Sequence, residues 1–214
     1  MNYNSEISSP AEFLGYELGS EFTLHSDVMQ YFKYLAANSD RLTLHKYAET
    51  YEGREALCHA VYKFGMRIVQ QYGRALAHVI ICGLQMQTAV GSSAADRIME
   101  NQPITVWLSY NVHGNEPSSS ESAMQTAYRL VAGMDDETQR MREQAITIID
   151  PMLNPDGRDR YVNWYKSSRS SILNDDSRDL EHDEIWPGGR TNHYWFDLNR
   201  DWVWLSTSRI ARTN

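Results

Sequence analysis

A histidine and a glutamate three residues apart offer the first chemistry in this sequence. His113 and Glu116 lie in the stretch NVHGNEP, where an apolar run gives way to a helical pattern. An imidazole nitrogen and a carboxylate oxygen are ligands that Zn²⁺ accepts, and two histidines with one glutamate form a known catalytic set. The alternative is that His113 caps a turn and Glu116 opens a helix, where its charge suits the helix dipole. Spacing alone favours that alternative, because such a pair is short and common.

Two further stretches carry residue types that suit a binding site. PMLNPDGRDRY follows an apolar run, and its Pro-Asp-Gly sequence by itself predicts a turn. GGRTNHYWFDLNRDW places Asn199 beside Arg200, with Arg190 seven residues before Asp197. A guanidinium and a neighbouring amide suit a carboxylate ligand. The alternative is a solvated arginine and an asparagine in a turn.

Apolar runs alternate with helical patterns along most of the chain, which predicts an α/β fold with a sheet covered on both faces. Strands are predicted at 41–48, 56–64, 103–112 and 145–153, and helices at 25–40 (with Ser26 as N-cap), from Ser92, at 116–133 (ending at Gly133) and at 135–144. Residues 66–86 are ambiguous, since 66–77 fit a helix and 78–84 fit a buried strand. Residues 154–190 lose regular patterning, which predicts a functional or disordered stretch. His113 follows a strand, where ligands bind in α/β sheets.

Composition excludes several classes of protein. A net charge of −8, from 28 acidic and 20 basic residues, argues against nucleic acid as a partner. No apolar run is long enough to cross a membrane, and residues 1–13 lack the pattern of a secretory signal. Cys58 and Cys82 are too few for a disulfide framework. We expect an irregular segment at 1–20 and one domain at 21–214, in a compartment that the sequence leaves open.

In this order, NVHGNEP, NPDG and DLNRDW resemble the zinc carboxypeptidase family, over about Val106 to Trp202. The resemblance implies a mixed, mostly parallel sheet and hydrolysis of C-terminal peptide bonds in peptides or proteins. It also implies that His113 and Glu116 are two of three ligands of Zn²⁺. Asn199 and Arg200 then grip the terminal carboxylate of the substrate.

Arg190 is the candidate for the arginine that polarises the scissile carbonyl in this family. Several relatives carry an R-x-N sequence at this distance before DLNR, and RTN stands there in this chain. Other relatives place the arginine after NPDG, so Arg158, Arg160 and Arg169 remain alternatives.

The third zinc ligand and the general base of the family lie beyond DLNR. The last twelve residues, VWLSTSRIARTN, contain no His, Asp or Glu, so we expect the active site of residues 1–214 to be incomplete and inactive alone. His182 is better explained as part of a solvated acidic loop, and His193 as a packing residue among aromatics. Two other functions fit the motifs: an aspartoacylase-like amidohydrolase, or a non-catalytic fragment that binds peptide carboxylates.

Overall fold

The computed structural model describes residues 2–61, 104–172 and 174–202. Among these residues the helices are α1 (Pro10–Leu14), α2 (His25–Asn38), α3 (Ser118–Ala132), α4 (Asp136–Gln144) and α5 (Pro155–Ser168). The strands are β1 (Leu42–Glu49), β2 (Glu55–Val61), β3 (Ile104–Ser109) and β4 (Ala145–Asp150), and two 3₁₀ turns span Leu180–His182 and Leu198–Arg200. The predictions for residues 66–86 and for a helix from Ser92 lie outside the described residues.

The four described strands form one sheet in the order β1-β2-β4-β3. β3 and β4 run parallel, whereas β1 pairs with β2, and β2 with β4, in antiparallel fashion. The α/β class and the mixed sheet are therefore confirmed. Among the described strands only β3 and β4 pair in parallel, and a tight turn through Gly53 (φ +80°) returns the chain antiparallel beside β1.

The core lies where α2 and α3 pack against one face of the sheet. Val28, Phe32 and Leu35 follow the helical spacing of α2 and are fully buried, beside Ile149 of β4. The prediction of Ser26 as N-cap is wrong. Leu24 occupies that position, and its carbonyl accepts the first helical N–H groups, whereas Ser26 is the second residue of the helix.

The described helices that follow β3 end and begin as their sequences predict. The N–H of Gly133, at the C-cap of α3, donates to the carbonyl of Arg129. Asp135 then caps α4 by accepting from the N–H of Thr138. Together these caps explain how two helices follow each other with only three residues between them.

The NPDG stretch starts a helix, so the prediction of a Pro-Asp-Gly turn is wrong. Asn154 is the N-cap of α5 and accepts from the N–H of Gly157. Pro155 occupies the first helical position, where its missing N–H leaves no bond unmade. The prediction that patterning is lost from Asn154 is therefore wrong up to Ser168. Beyond it, the described residues up to Arg190 contain only a short 3₁₀ turn.

The N-terminal segment packs on the end of α3. The N–H of Asn4 donates to the carbonyl of Ala132, and a capping box of Ser9 and Glu12 starts the short helix α1. This helix lies inside the segment predicted to be irregular. The division at residues 20 and 21 stays a prediction. Among the described residues, none of the helices has the length and apolarity needed to cross a membrane.

Candidate active site

The turn after β3 is fixed by one buried asparagine. Asn111 has a left-handed backbone (φ +54°), and its N–H donates to the hydroxyl of Ser119 at 2.7 Å. Its side-chain amide donates to the carbonyls of His113 and Glu116, at 2.9 and 3.2 Å. These bonds curl residues 111–116 so that the His113 and Glu116 side chains face the same point.

His113 is buried (4% exposed) and has a carboxylate at each ring nitrogen. Its Nδ1 lies 2.9 Å from Oε1 of Glu116, and its Nε2 lies 2.9 Å from Oδ1 of Asp197. The Glu116 side chain is about half exposed, at 54%. The structure thus brings the two predicted ligands together at the carboxyl end of β3.

Asp197 joins His113 to Arg190. Its Oδ2 accepts from Nε and Nη2 of Arg190, at 3.1 and 3.0 Å, and Nη1 of Arg190 lies 3.4 Å from Nδ1 of His113. Partial burial raises the pKa of Asp197, but hydrogen bonds from His113, the Asn199 backbone and Arg190 outweigh it, so the pKa lies below its usual value. Asp197 is missing from the residues predicted from the sequence, although it stands within DLNR.

Three glycines allow the backbones around this site to touch. A Cβ on Gly114 would overlap the backbone of Gly157, and a Cβ on Gly157 would overlap the carbonyl oxygen of Gly189. A Cβ on Gly189 would lie 2.6 Å from the Gly157 oxygen. The turn of His113, the start of α5 and the segment before Arg190 therefore meet in a junction of Gly114, Gly157 and Gly189. Sequence reasoning overlooked this junction.

Asn199 and Arg200 lie in the 3₁₀ turn that follows Asp197 directly. Asp197 caps this turn by accepting from the N–H of Asn199, and Leu198 anchors it in the core. The side-chain oxygen of Asn199 accepts from Nε1 of Trp202 at 2.9 Å. Arg200 is exposed, and no described residue forms an ion pair with it. Neither side chain contacts His113 within hydrogen-bonding distance in the described part of the chain.

The three competing arginines have other partners. Arg158 is completely buried and pairs with Glu121 at 2.7 Å. Arg160 donates to the carbonyls of Gly188, Thr191 and Asn192, whereas Arg169 pairs with Glu21 at 2.7 Å. Of the four candidates, Arg190 is the one placed beside His113.

The two spare histidines also lie on other partners. His182 contacts the carbonyl of Asn174 through Nε2, and His193 contacts Glu52 through Nδ1 and packs edge-on against Tyr194. Among the described residues, no three His, Cys, Asp or Glu side chains converge to hold a metal ion. His113 and Glu116 therefore form a pair of candidate ligands in this part of the chain.

A profile of the zinc carboxypeptidase family matches residues 28–214, which is most of the chain. This chain belongs to the zinc carboxypeptidase family. It is therefore related to metallocarboxypeptidases, the enzymes of this family that use Zn²⁺. Among curated proteins, none matches this chain.

Solved structures of metallocarboxypeptidases are also similar to this chain. One is a metallo-carboxypeptidase from Burkholderia cenocepacia, with 13% identity, a TM-score of 0.49, and coverage of 85% of this chain and 33% of that one. A second is carboxypeptidase A from Helicoverpa armigera, with 15% identity, a TM-score of 0.44, and coverage of 72% and 29%. A third is a putative carboxypeptidase A from Shewanella denitrificans, with 13% identity, a TM-score of 0.47, and coverage of 86% and 32%. The chain therefore spans about a third of the length of these proteins.

Proposed function

We propose that the site around His113 serves zinc-dependent hydrolysis of the C-terminal peptide bond of peptides or proteins. The observation that carries the proposal is the division of the two His113 nitrogens between two carboxylates. Nε2 faces Asp197, and Nδ1 faces Glu116 at 2.9 Å. A carboxylate on one ring nitrogen fixes the tautomer and leaves the other nitrogen free for a metal.

The donor atoms fit a zinc ion in type and direction. Arg190 Nη1 approaches His113 Nδ1, which suits a lone pair on that nitrogen rather than a proton. A nitrogen lone pair and a carboxylate oxygen that face each other at 2.9 Å are donors of the types that Zn²⁺ accepts. His113 and Glu116 would supply two protein ligands. Zinc bound there would lower the pKa of a water molecule and would polarise a carbonyl group.

Arg190 would stabilise the charge that develops on the scissile carbonyl oxygen. The two bonds from Nε and Nη2 to Asp197 fix the plane of its guanidinium. Its Nη1 is directed to the same space as Nδ1 of His113. A donor oriented before the reaction stabilises an oxyanion without reorganisation. Asp197 would orient both groups without touching the substrate.

Asn199 and Arg200 would bind the terminal carboxylate of the substrate. The guanidinium of Arg200 is exposed, and its planar fork of N–H donors matches the geometry of a carboxylate. The turn that carries it begins at Asp197, so the carboxylate site and the His113 site share one short segment. This arrangement supports the peptidase function over an amidohydrolase function, as does the family match.

The test is an assay for release of C-terminal amino acids with zinc present. Residues 1–214 are expected to be inactive alone, because the described residues bring together only two candidate metal ligands. None of the motifs supplies a general base, and the loss of a general base lowers the rate by about 10²- to 10⁴-fold. A longer form of the protein that supplies a third metal ligand and a general base is expected to turn over peptides. Turnover by residues 1–214 that is lost in Glu116→Ala would refute the expectation of inactivity.

Zinc binding gives a second test that does not depend on turnover. Residues 1–214 are expected to bind zinc weakly, since two protein ligands fall short of the three or four that Zn²⁺ takes. His113→Ala is expected to abolish that binding, whereas the matched variant His182→Ala should leave it unchanged. Calorimetry that shows tight zinc in His113→Ala would place the metal elsewhere.

A further inference from the structure

We propose that Glu184 is a positioning residue that holds the turn of His113 and Glu116 at a fixed distance from Arg190. The kinetic part of this inference depends on the proposed function, in which Glu116 is a zinc ligand and Arg190 stabilises the oxyanion. The structural part depends only on the contacts of Glu184. No motif of the sequence draws attention to this residue, which lies in an acidic run.

The carboxylate of Glu184 bonds to both sides of the glycine junction. Its Oε2 accepts from Nδ2 of Asn115 at 2.8 Å, and its Oε1 accepts from the backbone N–H of Gly189. Asn115 stands directly before Glu116, and Gly189 directly before Arg190. One carboxylate therefore joins the neighbours of the two groups whose separation matters for the reaction.

The segments that Glu184 joins lie very close together at the junction. Gly189 approaches the N–H of Asn115 so closely that a Cβ there would lie 3.2 Å from it. The three glycines contribute no side chains that could interlock these segments. Hydrogen bonds across the junction must then set how the segments lie against each other, and Glu184 supplies a charged acceptor for two of them.

A small shift at this junction would separate the effects on catalysis from those on substrate binding. Movement of about 1 Å within a reacting arrangement lowers rates by about 10²-fold. Loss of the Glu184 bonds would move Glu116 relative to Arg190. The Asn199 and Arg200 turn lies on Asp197 and Leu198, away from these bonds. We therefore expect kcat to fall while KM changes little.

The test compares Glu184→Ala with Glu184→Gln in the version of the protein that turns over peptides. Glu184→Ala is expected to lower kcat by about 10- to 100-fold, with KM changed by less than about threefold. Glu184→Gln keeps an acceptor for Gly189, and a flipped Asn115 amide can pair with its amide, so its kcat should stay near the wild-type value. Asp183→Asn is the matched control, because it removes a neighbouring exposed charge.

A reversal of the pair tests whether Glu184 acts through Asn115. Asn115→Asp places two carboxylates opposite each other and is expected to lower kcat. Adding Glu184→Gln restores a donor opposite an acceptor and should recover most of the lost rate. A residue that only stabilises the fold would give no recovery of kcat, since the double variant would simply sum two losses.

Three outcomes bear on this inference. Unchanged kcat in Glu184→Ala, with normal unfolding, would overturn it. An equal loss in Glu184→Gln and Glu184→Ala would also overturn it. If no version of the protein turns over peptides, the proposed function fails separately, and zinc affinity then decides. Positioning predicts about 10-fold weaker zinc in Glu184→Ala and normal zinc in Glu184→Gln, and equal affinities would refute it.

Discussion

The turn that carries His113 and the turn that carries Arg200 meet at Asp197, yet they are built in different ways. His113 is buried, with a carboxylate at each ring nitrogen and Asn111 supporting its backbone. Arg200 is exposed, and no described residue forms an ion pair with it. Under the proposed function, the groups assigned to the reacting bond are oriented in advance, while the group assigned to the substrate carboxylate stays free to bind.

This contrast follows from the chemistry that each half would perform. A metal ligand and an oxyanion donor act best when they need no reorganisation during the reaction. A guanidinium that binds a substrate carboxylate contributes most to the binding free energy when no carboxylate of the protein is already paired with it. Substitutions around the turn that carries His113 should therefore lower stability, zinc affinity or kcat. Substitutions in the turn that carries Arg200 should weaken substrate binding.

The largest effect is expected from Gly157→Ala in the junction beneath His113. The new methyl group would overlap the backbone oxygen of Gly189, which cannot move without shifting the segment before Arg190. We expect a loss of about 3 kcal/mol or more in the free energy of unfolding, measured by urea denaturation. Gly15→Ala is the control: space around it is open, so only its left-handed backbone (φ +79°) opposes the methyl group, at about 1–2 kcal/mol. Equal losses in both variants would contradict the junction.

Asp197→Asn should separate orientation from packing, because the two side chains have nearly the same shape. The amide keeps one oxygen for His113 or Arg190 but loses the charge that holds both. We expect zinc affinity and kcat to fall by about 10- to 100-fold, with KM for peptides nearly unchanged. Steady-state kinetics with a zinc competition assay measure this, and Asp176→Asn, at an exposed ion pair with Arg178, serves as control. Normal zinc affinity in Asp197→Asn would show that Asp197 does not orient His113 for zinc.

Arg200→Ala should show the opposite pattern. It removes the charge offered to the substrate carboxylate, so we expect the Kd or KM of a peptide with a free C-terminus to rise about 10-fold or more. An amidated peptide should bind equally to both proteins. The free energy of unfolding should change by less than about 0.5 kcal/mol, because the side chain is exposed. Arg178→Ala is the control, and a loss of stability without a change in affinity would place Arg200 in the scaffold.

Local patterns predicted most of the described scaffold. Apolar runs gave the four described strands, and the spacing of Val28, Phe32 and Leu35 gave α2, because burial on one face leaves a period in the sequence. The start of α5 was predicted wrongly since Asn-Pro-Asp-Gly suits both a turn and a capped helix. The side chain of Asn154 decides between them by capping the N–H of Gly157.

The candidate site likewise contains residues that the sequence predicts and residues that it does not. His113, Glu116 and Arg190 were predicted, and the structure brings them together. Their assigned roles stay predictions. Asp197 and Glu184 were missed because each acts through contacts to residues 84 and 69 positions away, which no local spacing encodes. The glycine junction was missed for the same reason, since close approach depends on three separate segments.

The smallest effect is expected from Asp150→Asn, in the scaffold below the His113 turn. Burial raises the pKa of Asp150 to about 7, against hydrogen bonds from the Tyr47 hydroxyl and the Met152 N–H. The folded protein therefore keeps a proton that the unfolded chain releases near its ordinary pKa of about 4. This contribution to stability is complete below about pH 4 and is lost as the pH rises to about 7.

Asp150→Asn removes this titration, so its free energy of unfolding should fall less than that of the wild type between pH 6 and pH 7. The free energy of unfolding should change with pH by about 1 kcal/mol more in the wild type than in Asp150→Asn. Urea denaturation of both proteins at both pH values measures this difference. Burial also lowers the pKa of His59 to about 3, which makes stability rise with pH, but both proteins share this effect and it cancels in the comparison. Asp40→Asn, at an exposed position, is the control. Parallel pH profiles for wild type and Asp150→Asn would show that Asp150 is already ionised at pH 6, and the buried scaffold below His113 would then hold a charge.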